Sequence, residues 1–327
     1  MDERHRPPTR WHAWALQALV VAAVLGLLAW IVGNALAQLR LRGAHAGFDF
    51  LLEPAGFQLG EGWFGDDSGQ AMWRAFAAGL GNTLRVALPG MLLATGLGTL
   101  LGIGRTVAEP VLRRACSVYV ETLRNVPLLV QLLMLYFALT HLLPDTDAPL
   151  RFAGAYLSKA GLALPWPAWE NGRLFIERPE VEGFGITGGV LLTPEYLTLL
   201  LGLSAYTAAF VAETVRAGLQ SVPQGQKDAA RAMGLSGGQQ LRFIVLPQAL
   251  RLIVPSLGNQ MLNLTKNSSL AVAIGYPDLV SVANTVLNQT GRAFECIAVL
   301  MAVYLTLSLL TAAAIHGWNA RVMRRGR

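Results

Sequence analysis

The polar side chains able to act on another molecule fall in a few places of an otherwise apolar chain. Between Ser221 and Pro247 runs SVPQGQKDAARAMGLSGGQQLRFIVLP, where Asp228 and Arg231 flank Ala229, Ala230 and Ala232. Past it, Asn259, Asn263, Lys266, Asn267 and Ser268 follow one another through an apolar stretch, and Tyr206 lies in another. Two carboxylate–guanidinium pairs, Glu121 with Arg124 and Glu213 with Arg216, sit three residues apart inside apolar segments. None of this is spaced for making or breaking bonds. No G-x-x-x-x-G-K-[ST] loop exists to cradle a nucleotide phosphate, since Gly237-Gly238 lacks the following Lys-Ser/Thr. His5, His12, His45, His141 and His316 are scattered, with neither H-E-x-x-H nor Cys/His metal spacing. Ser268-Ser269 has no His–Asp constellation to activate it. The sequence therefore predicts no catalytic residue, metal or cofactor in this chain. Its polar groups suit handling a solute and docking another protein.

The element that must present Asp228 and Arg231 is a short helix over about Pro223 to Met233. Pro223 is placed in its first turn, where a missing N–H costs nothing, and Gly234 stops it. A second helix starts at Ser236, which forms an S-x-x-Q capping box with Gln239, and runs into Pro247. Alanines give the first helix a low-relief face that another protein can approach closely.

The rest of the chain reads as membrane. Of 327 residues, 53% are hydrophobic and 14% charged, against about 25% charged in soluble domains. Mean hydropathy is +0.43. No Asp, Glu, Lys or Arg occurs from Trp11 to Leu39, Val86 to Gly104, Asn125 to Pro144 or Cys296 to Ala320. Each run meets the roughly 20 residues that span a bilayer. Six spans are predicted: Trp14–Gln38, Ala77–Gly104, Ser117–Leu143 with a kink at Pro127, Glu195–Leu219, Gln248–Thr265 and Glu295–Asn319. With both termini inside, the inner side carries 16 Lys/Arg and 6 Asp/Glu, the outer side 10 and 14. That asymmetry is the positive-inside pattern, so the net charge of +6 reports topology and not a nucleic-acid partner. Trp14–Gln38 is too long for a cleaved signal and is expected to stay. Cys116 and Cys296 fall near opposite ends of spans, which argues against a disulfide.

The expected organisation is a tail over 1–13, an added span over 14–38 and an outer segment over 39–76. A core over 77–320 follows, with a long outer loop at 144–194 and an inner loop at 220–247, and then a basic tail over 321–327. Trp63, Phe64 and Trp73 are candidates for the headgroup level. Leu150–Leu164 is a candidate interfacial helix. The i, i+3 pairs Glu121–Arg124 and Glu213–Arg216 lessen the cost of charge near the membrane. Polar groups of the fifth span should face a bundle interior or a wet cavity.

Asp228-Ala229-Ala230, then three residues, Gly234, nine residues and Ile244-Val245-Leu246-Pro247 resemble the "EAA" loop of permease subunits in ATP-binding-cassette importers; Asp228 departs from the usual Glu. The strings ETLRNVPLLVQ and AYTAAFVAETVRAG resemble the polar amino-acid branch. PQALR, LGN, KNSSLA and IGYPDLVSVANTVLNQTGR resemble permeases of general L-amino-acid and glutamate/glutamine/aspartate/asparagine importers. The resemblance covers roughly 77–320. It implies an all-α type I importer permease, a five-span core plus an N-terminal span, in a bacterial inner membrane with cytoplasmic termini. It implies a cytoplasmic ATP-binding subunit dimer holding the ATP and Mg, a related second permease subunit and a periplasmic amino-acid-binding protein. Asp228, Ala229, Ala230, Arg231, Gly234, Ile244, Leu246 and Pro247 are the expected coupling residues. Tyr206, Asn259, Asn263, Lys266, Asn267 and Ser268 are the expected path for a solute with both carboxylate and ammonium groups. An ATP-independent transporter or channel could share the polar midplane, but it has no use for a docking loop.

Overall fold

The structure, a computed structural model, describes residues 10–41, 47–62, 69–170, 172–183 and 185–324. Trp63, Phe64, Asp66, Asp67, most of the N-terminal tail and the last three residues lie outside these. The chain divides into two units between Leu51 and Leu52. The first holds α1 (Arg10–Leu41), whose Leu, Val and Ala residues leave no polar face between Trp14 and Ile31. A helix apolar all round suits lipid.

The second unit is a helical bundle with one β insertion. Its helices are α2 (Met72–Gly104), α3 (Pro110–Asn125), α4 (Leu128–His141), α5 (Pro194–Gln220), α6 (Gln224–Ala232), α7 (Gly237–Gln240), α8 (Leu246–Asn267), α9 (Leu279–Thr290) and α10 (Ala293–Arg324). Among the described residues of the whole chain, five helical stretches are long and apolar enough to cross a membrane, six if the bent pair α3–α4 is one span.

Helices α2 and α5 form the centre and run parallel. The Tyr196 hydroxyl donates to the Arg85 carbonyl, the Ser204 hydroxyl to that of Gly90, and further along Gly98 meets Val211 and Gly102 meets Val215. Small residues allow this approach, where lipid supplies no hydrophobic drive between helices. Helix α8 lies antiparallel to α5, with Ile253 against Gly218 at one end and Leu264 near Gly90 towards the other. Leu132, Leu199, Leu203, Leu264 and Tyr276 fill the core between them.

Three expectations are corrected. The third span breaks instead of kinking: α3 and α4 meet at 105°. Pro127 pushes Val126 out of the helical region, to φ −91° and ψ 131°. The Gln131 amide donates to the carbonyls of Leu123 and Val126, both at 2.8 Å, satisfying acceptors that the break frees. Second, 150–192 holds no helix among its described residues. It folds into an antiparallel sheet ordered β1 (Leu150–Phe152), β2 (Ala155–Ser158), β3 (Gly161–Leu164), β8 (Val190–Leu192), with hairpins β4–β5 (Trp166–Glu170, Arg173–Glu177) and β6–β7 (Glu180–Glu182, Gly185–Thr187). Glycines that a helix would not favour supply its turns, at φ +83° for Gly154 and +75° for Gly172. Third, the helix from Ser236 does not end at Pro247. A π-turn over Leu241–Val245 joins α7 to α8, and Pro247 falls in the first turn of α8, where its missing N–H is absorbed.

A Cβ placed on Gly98 would lie 2.5 Å from that of Val211 and 2.7 Å from the Ala208 carbonyl oxygen, whereas Gly96 has nothing within 4 Å. Gly98→Ala is therefore expected to cost about 1–3 kcal/mol, and Gly96→Ala nothing or a slight gain. Thermal unfolding of the two variants in detergent micelles checks this. Equal melting temperatures would mean that α2 and α5 do not touch there.

Candidate functional site

The polar 221–247 stretch is held as a compact body. Helix α6 ends in a Schellman closure: the Leu235 N–H donates to the Ala230 carbonyl at 3.1 Å and the Gly234 N–H to that of Arg231 at 2.9 Å. Gly234 sits at φ +80°, a conformation glycine adopts without strain. The capping box forms, with the Gln239 N–H on the Ser236 hydroxyl and the Gln239 side chain accepting from the Ser236 N–H. The Gln240 amide reaches back to the Lys227 carbonyl at 2.8 Å and the Gln248 amide to Gln226 at 2.6 Å, so α6 is tied to α7 and to the start of α8.

On the outer surface of α6, Asp228 and Arg231 pair at 3.5 Å, and Ala229, Ala232 and Met233 are exposed, Met233 to 71%. Ala230 does not belong to that surface: it is buried, because the 3.6-residue turn points it inward. Ile244 is half-buried in the π-turn, while Leu246 and Pro247 remain exposed.

Behind this body, Glu213 of α5 gathers charge from three helices. Arg216 clamps both its oxygens, with Nε to Oε2 at 3.1 Å and Nη2 on Oε1; Arg105 at the end of α2 approaches Oε2 at 2.5 Å. Arg124 of α3 lies 4.0 Å from the same oxygen, and its guanidinium covers the Phe210 ring at 5.2 Å. The expected Glu213–Arg216 pair thus forms, but Arg124 turns from Glu121 towards Glu213. An i, i+3 helix pair is worth only about 0.2–0.5 kcal/mol; the exposed cation–π contact on Phe210 is worth about 0.5–1 and comes together with the Glu213 carboxylate, which favours the turn away from Glu121. Glu121 is exposed. Nothing in sequence spacing links Arg105 to Glu213, 108 positions on.

Midway along α5 and α8 lies a cavity of 430 Å³ lined by Tyr206, Thr207, Phe210, Gln260, Asn263 and Asn267. Three of the six expected path residues, Tyr206, Asn263 and Asn267, meet there. Asn259 and Lys266 are exposed beside it on α8, and Ser268 is buried with its hydroxyl on the Thr265 carbonyl, a local helix contact. Gln260 was passed over among the polar groups of α8. Phe210 follows from Tyr206 by helical spacing, four residues on, and Thr207 beside Tyr206 reaches the same cavity. The cavity offers three side-chain amides, from Gln260, Asn263 and Asn267, the Tyr206 phenol and the Thr207 hydroxyl, donors and acceptors for a zwitterion with no net charge to hold it tightly.

At the far end of α2 and α5 a second polar cluster closes the bundle. The Asn82 amide donates to the Glu61 and Pro277 carbonyls, both at 2.9 Å, and the Tyr276 hydroxyl to that of Asn82. Arg85 lies 3.8 Å from Glu61 and 4.7 Å from the centre of the Tyr196 ring. Burial raises the Glu61 carboxyl, opposed by a Thr193 hydrogen bond and by Arg85. Asp278 caps α9, taking the Ser281 N–H at 2.8 Å, while its other oxygen is buried without a partner among the described residues. Desolvation raises its pKa from 3.8 to about 7, against the lowering effect of the backbone N–H groups of Ser281 and Val280. No spacing rule announces this cluster, because its members come from four separate segments.

A family model described as "Binding-protein-dependent transport system inner membrane component" matches residues 94–325. The chain is 35% identical to the General L-amino acid transport system permease protein AapQ of Rhizobium johnstonii, over 94% of this chain and 91% of that one. It is 31% identical to the Glutamate/glutamine/aspartate/asparagine transport system permease protein BztB of Rhodobacter capsulatus, over 98% and 95%. A solved chain described as "Crystal structure of an amino acid ABC transporter with histidines" superposes with a TM-score of 0.57 at 24% identity, over 76% of this chain and 94% of that one, and shares its fold.

Asp278 makes stability depend on pH in a stated direction. With its folded pKa raised from 3.8 to about 7, the native state binds the extra proton, so its contribution is lost as pH rises through that window. Asp278→Asn keeps an equally good cap without the charge. The variant should melt higher than the parent at pH 8 and about equally at pH 4. A charge at a helix start gains only about 0.3–1 kcal/mol, too little to reverse this. If the parent is the more stable protein at pH 8, the buried oxygen is not desolvated as described.

Proposed function

The chain belongs to the family of binding-protein-dependent transport system inner membrane components, and we propose that it forms half of an amino-acid path that a nucleotide-hydrolysing subunit opens and closes by moving α6. It is a multi-pass membrane protein and the permease subunit of an amino-acid ABC importer, a transport component and not an enzyme. An importer of this family works with an ATP-hydrolysing subunit and a solute-binding protein. For this chain those partners are a cytoplasmic ATP-binding dimer that holds ATP and Mg, a periplasmic amino-acid-binding protein and a second, related permease subunit. Both termini lie on the cytoplasmic side, as the Lys/Arg asymmetry supports.

The observation that carries the coupling role is the exposed face of α6. A helix of nine residues has too few turns to be stable alone; here it is closed at its C-terminal end and tied to α7 and α8, so force applied to it is not lost in fraying. Ala229, Ala232 and Met233 offer an almost flat apolar contact, with Asp228 and Arg231 beside it to set orientation. Ala230, inward-facing, anchors that surface and does not form part of it.

The carried solutes are α-amino acids as a class, met in the cavity by Tyr206, Gln260, Asn263 and Asn267. Neutral donors and acceptors suit a path that must release its solute. The relatives' names extend to acidic and amide amino acids, and Lys266, exposed on the same helix, suits their carboxylates.

Ala229→Trp places bulk on the docking face of α6 without touching the bundle. The variant should insert and melt as the parent does. Amino-acid-stimulated ATP hydrolysis by the purified complex should fall about tenfold or more, the scale of one disrupted interface anchor. Unchanged stimulation and uptake would remove α6 as the coupling element.

A further inference from the structure

A second cleft, apart from the amino-acid cavity, opens where α3 passes the ends of α2 and α5. Its volume is 1260 Å³, and Arg105, Arg113, Arg114 and Arg216 line it, with one carboxylate, Glu121. Arg105 and Arg216 are engaged by Glu213. Arg113 and Arg114 are exposed and have no ion-pair partner among the described residues. Two guanidinium groups are thus left over at the cleft mouth, on the first turns of α3. Arginine presents its donors as a planar fork that matches phosphate oxygens two at a time.

The same cleft has an apolar side. Val111 and Val118 line it while 79% and 58% exposed, Leu112 beside them is 51% exposed, and the last turns of α2 expose Leu100 and Ile103. On a membrane protein these aliphatic groups meet lipid tails, so the arginines stand at the level where tails give way to headgroups. A free phosphate ion would use the arginines and leave Val111 and Val118 in water. An amphiphile uses both. At 1260 Å³ the cleft also exceeds the roughly 300–1,000 Å³ of ordinary small-molecule pockets, leaving room for a headgroup and the first methylenes of its chains.

We propose that this cleft binds the phosphodiester headgroup of an anionic membrane lipid, with Arg113 and Arg114 on the phosphate and Val111 and Val118 against the chains. The inference rests on the chain being embedded in a bilayer and on none of the residues assigned to coupling or to the amino-acid path. Its position is still consequential: Gln220, which also lines the cleft, accepts from Arg216 and is the last residue of α5 before α6. A bound headgroup would therefore brace the Glu213 ion cluster from outside.

The test uses the whole transporter, purified in non-ionic detergent and followed by native mass spectrometry during titration with phosphatidylglycerol, phosphatidylcholine or inorganic phosphate. Phosphatidylglycerol should be retained about tenfold or more over phosphatidylcholine, and inorganic phosphate should not displace it. Arg113→Gln/Arg114→Gln should weaken its retention about 30-fold, about fivefold for each charge removed near a membrane surface, while Arg113→Lys/Arg114→Lys, which keeps the charge and loses the fork, should fall between the parent and the glutamine variant. Equal retention of the two lipids by the unaltered protein, displacement by inorganic phosphate, or unaltered binding in the glutamine variant would each overturn the proposal. The unaltered protein alone decides the first two. Uptake of amino acids that persists through any of these results leaves the transport function standing.

Discussion

One carboxylate, Glu213, sets the conditions for the rest of the bundle. It sits at the end of α5 with Arg216 across both oxygens, Arg105 of α2 at 2.5 Å and Arg124 of α3 at 4.0 Å. Only 28% of its side chain is exposed. A charge withdrawn from water needs partners close by, since removing one leaves the other uncompensated at a cost of several kcal/mol. That requirement locks the register of α2 on α5. Gly98 and Gly102 permit the two helices to approach, but a stripe of small residues alone would tolerate sliding by one turn. The Arg105–Glu213 contact does not.

The consequence for motion is directional. From the Glu213 cluster, α5 continues four more residues past Arg216 to Gln220, and the buried Val222 leads into α6. On its other side α6 is bonded to α7 and α8 through Gln240 and Gln248. A push on α6 is thus delivered to α8 as a continuous helix from Gly237, while α5 is held to α2 and α3 by charge. The polar cavity lies between α5 and α8. In the proposed mechanism, displacing one against the other changes its width.

Much of this was legible in the chain itself, for identifiable reasons. Gly234 and the Ser236–Gln239 box are local signals, and local hydrogen bonding made them real. Glu213–Arg216 needed only helical spacing. The break at Pro127 was underestimated because the proline indicates a disturbance, whereas its size depends on Gln131 reaching back to the freed carbonyls. The π-turn before Pro247 hid for the opposite reason: absorbing one extra residue lets a proline that would normally mark a stop sit inside a through-going helix. The sheet at 150–192 escaped notice because Pro, Gly and Trp suggested a loop, and its strands of three to five residues give alternation little length to show itself. Glu61, Asn82, Arg85, Tyr196, Tyr276 and Asp278 could not be assembled from spacing at all. Half the expected path residues converge on the cavity: Asn263 and Asn267 because they lie one turn apart on one face of α8, and Tyr206 because α5 packs alongside. Ser268 leaves that face where the helix tightens into a 3-10 turn.

The most direct measurement is transport stoichiometry with Glu213→Gln in proteoliposomes containing the complete transporter. If the Glu213 cluster couples α5 to α2 and α3, ATP hydrolysis should continue while amino acid taken up per ATP falls about tenfold or more, a loss of about 1.4 kcal/mol in coupling; Glu121→Gln, exposed and outside the cluster, should leave the ratio alone. An unchanged ratio with Glu213→Gln, in a complex that is fully assembled, would contradict the claim that this carboxylate holds the moving parts together.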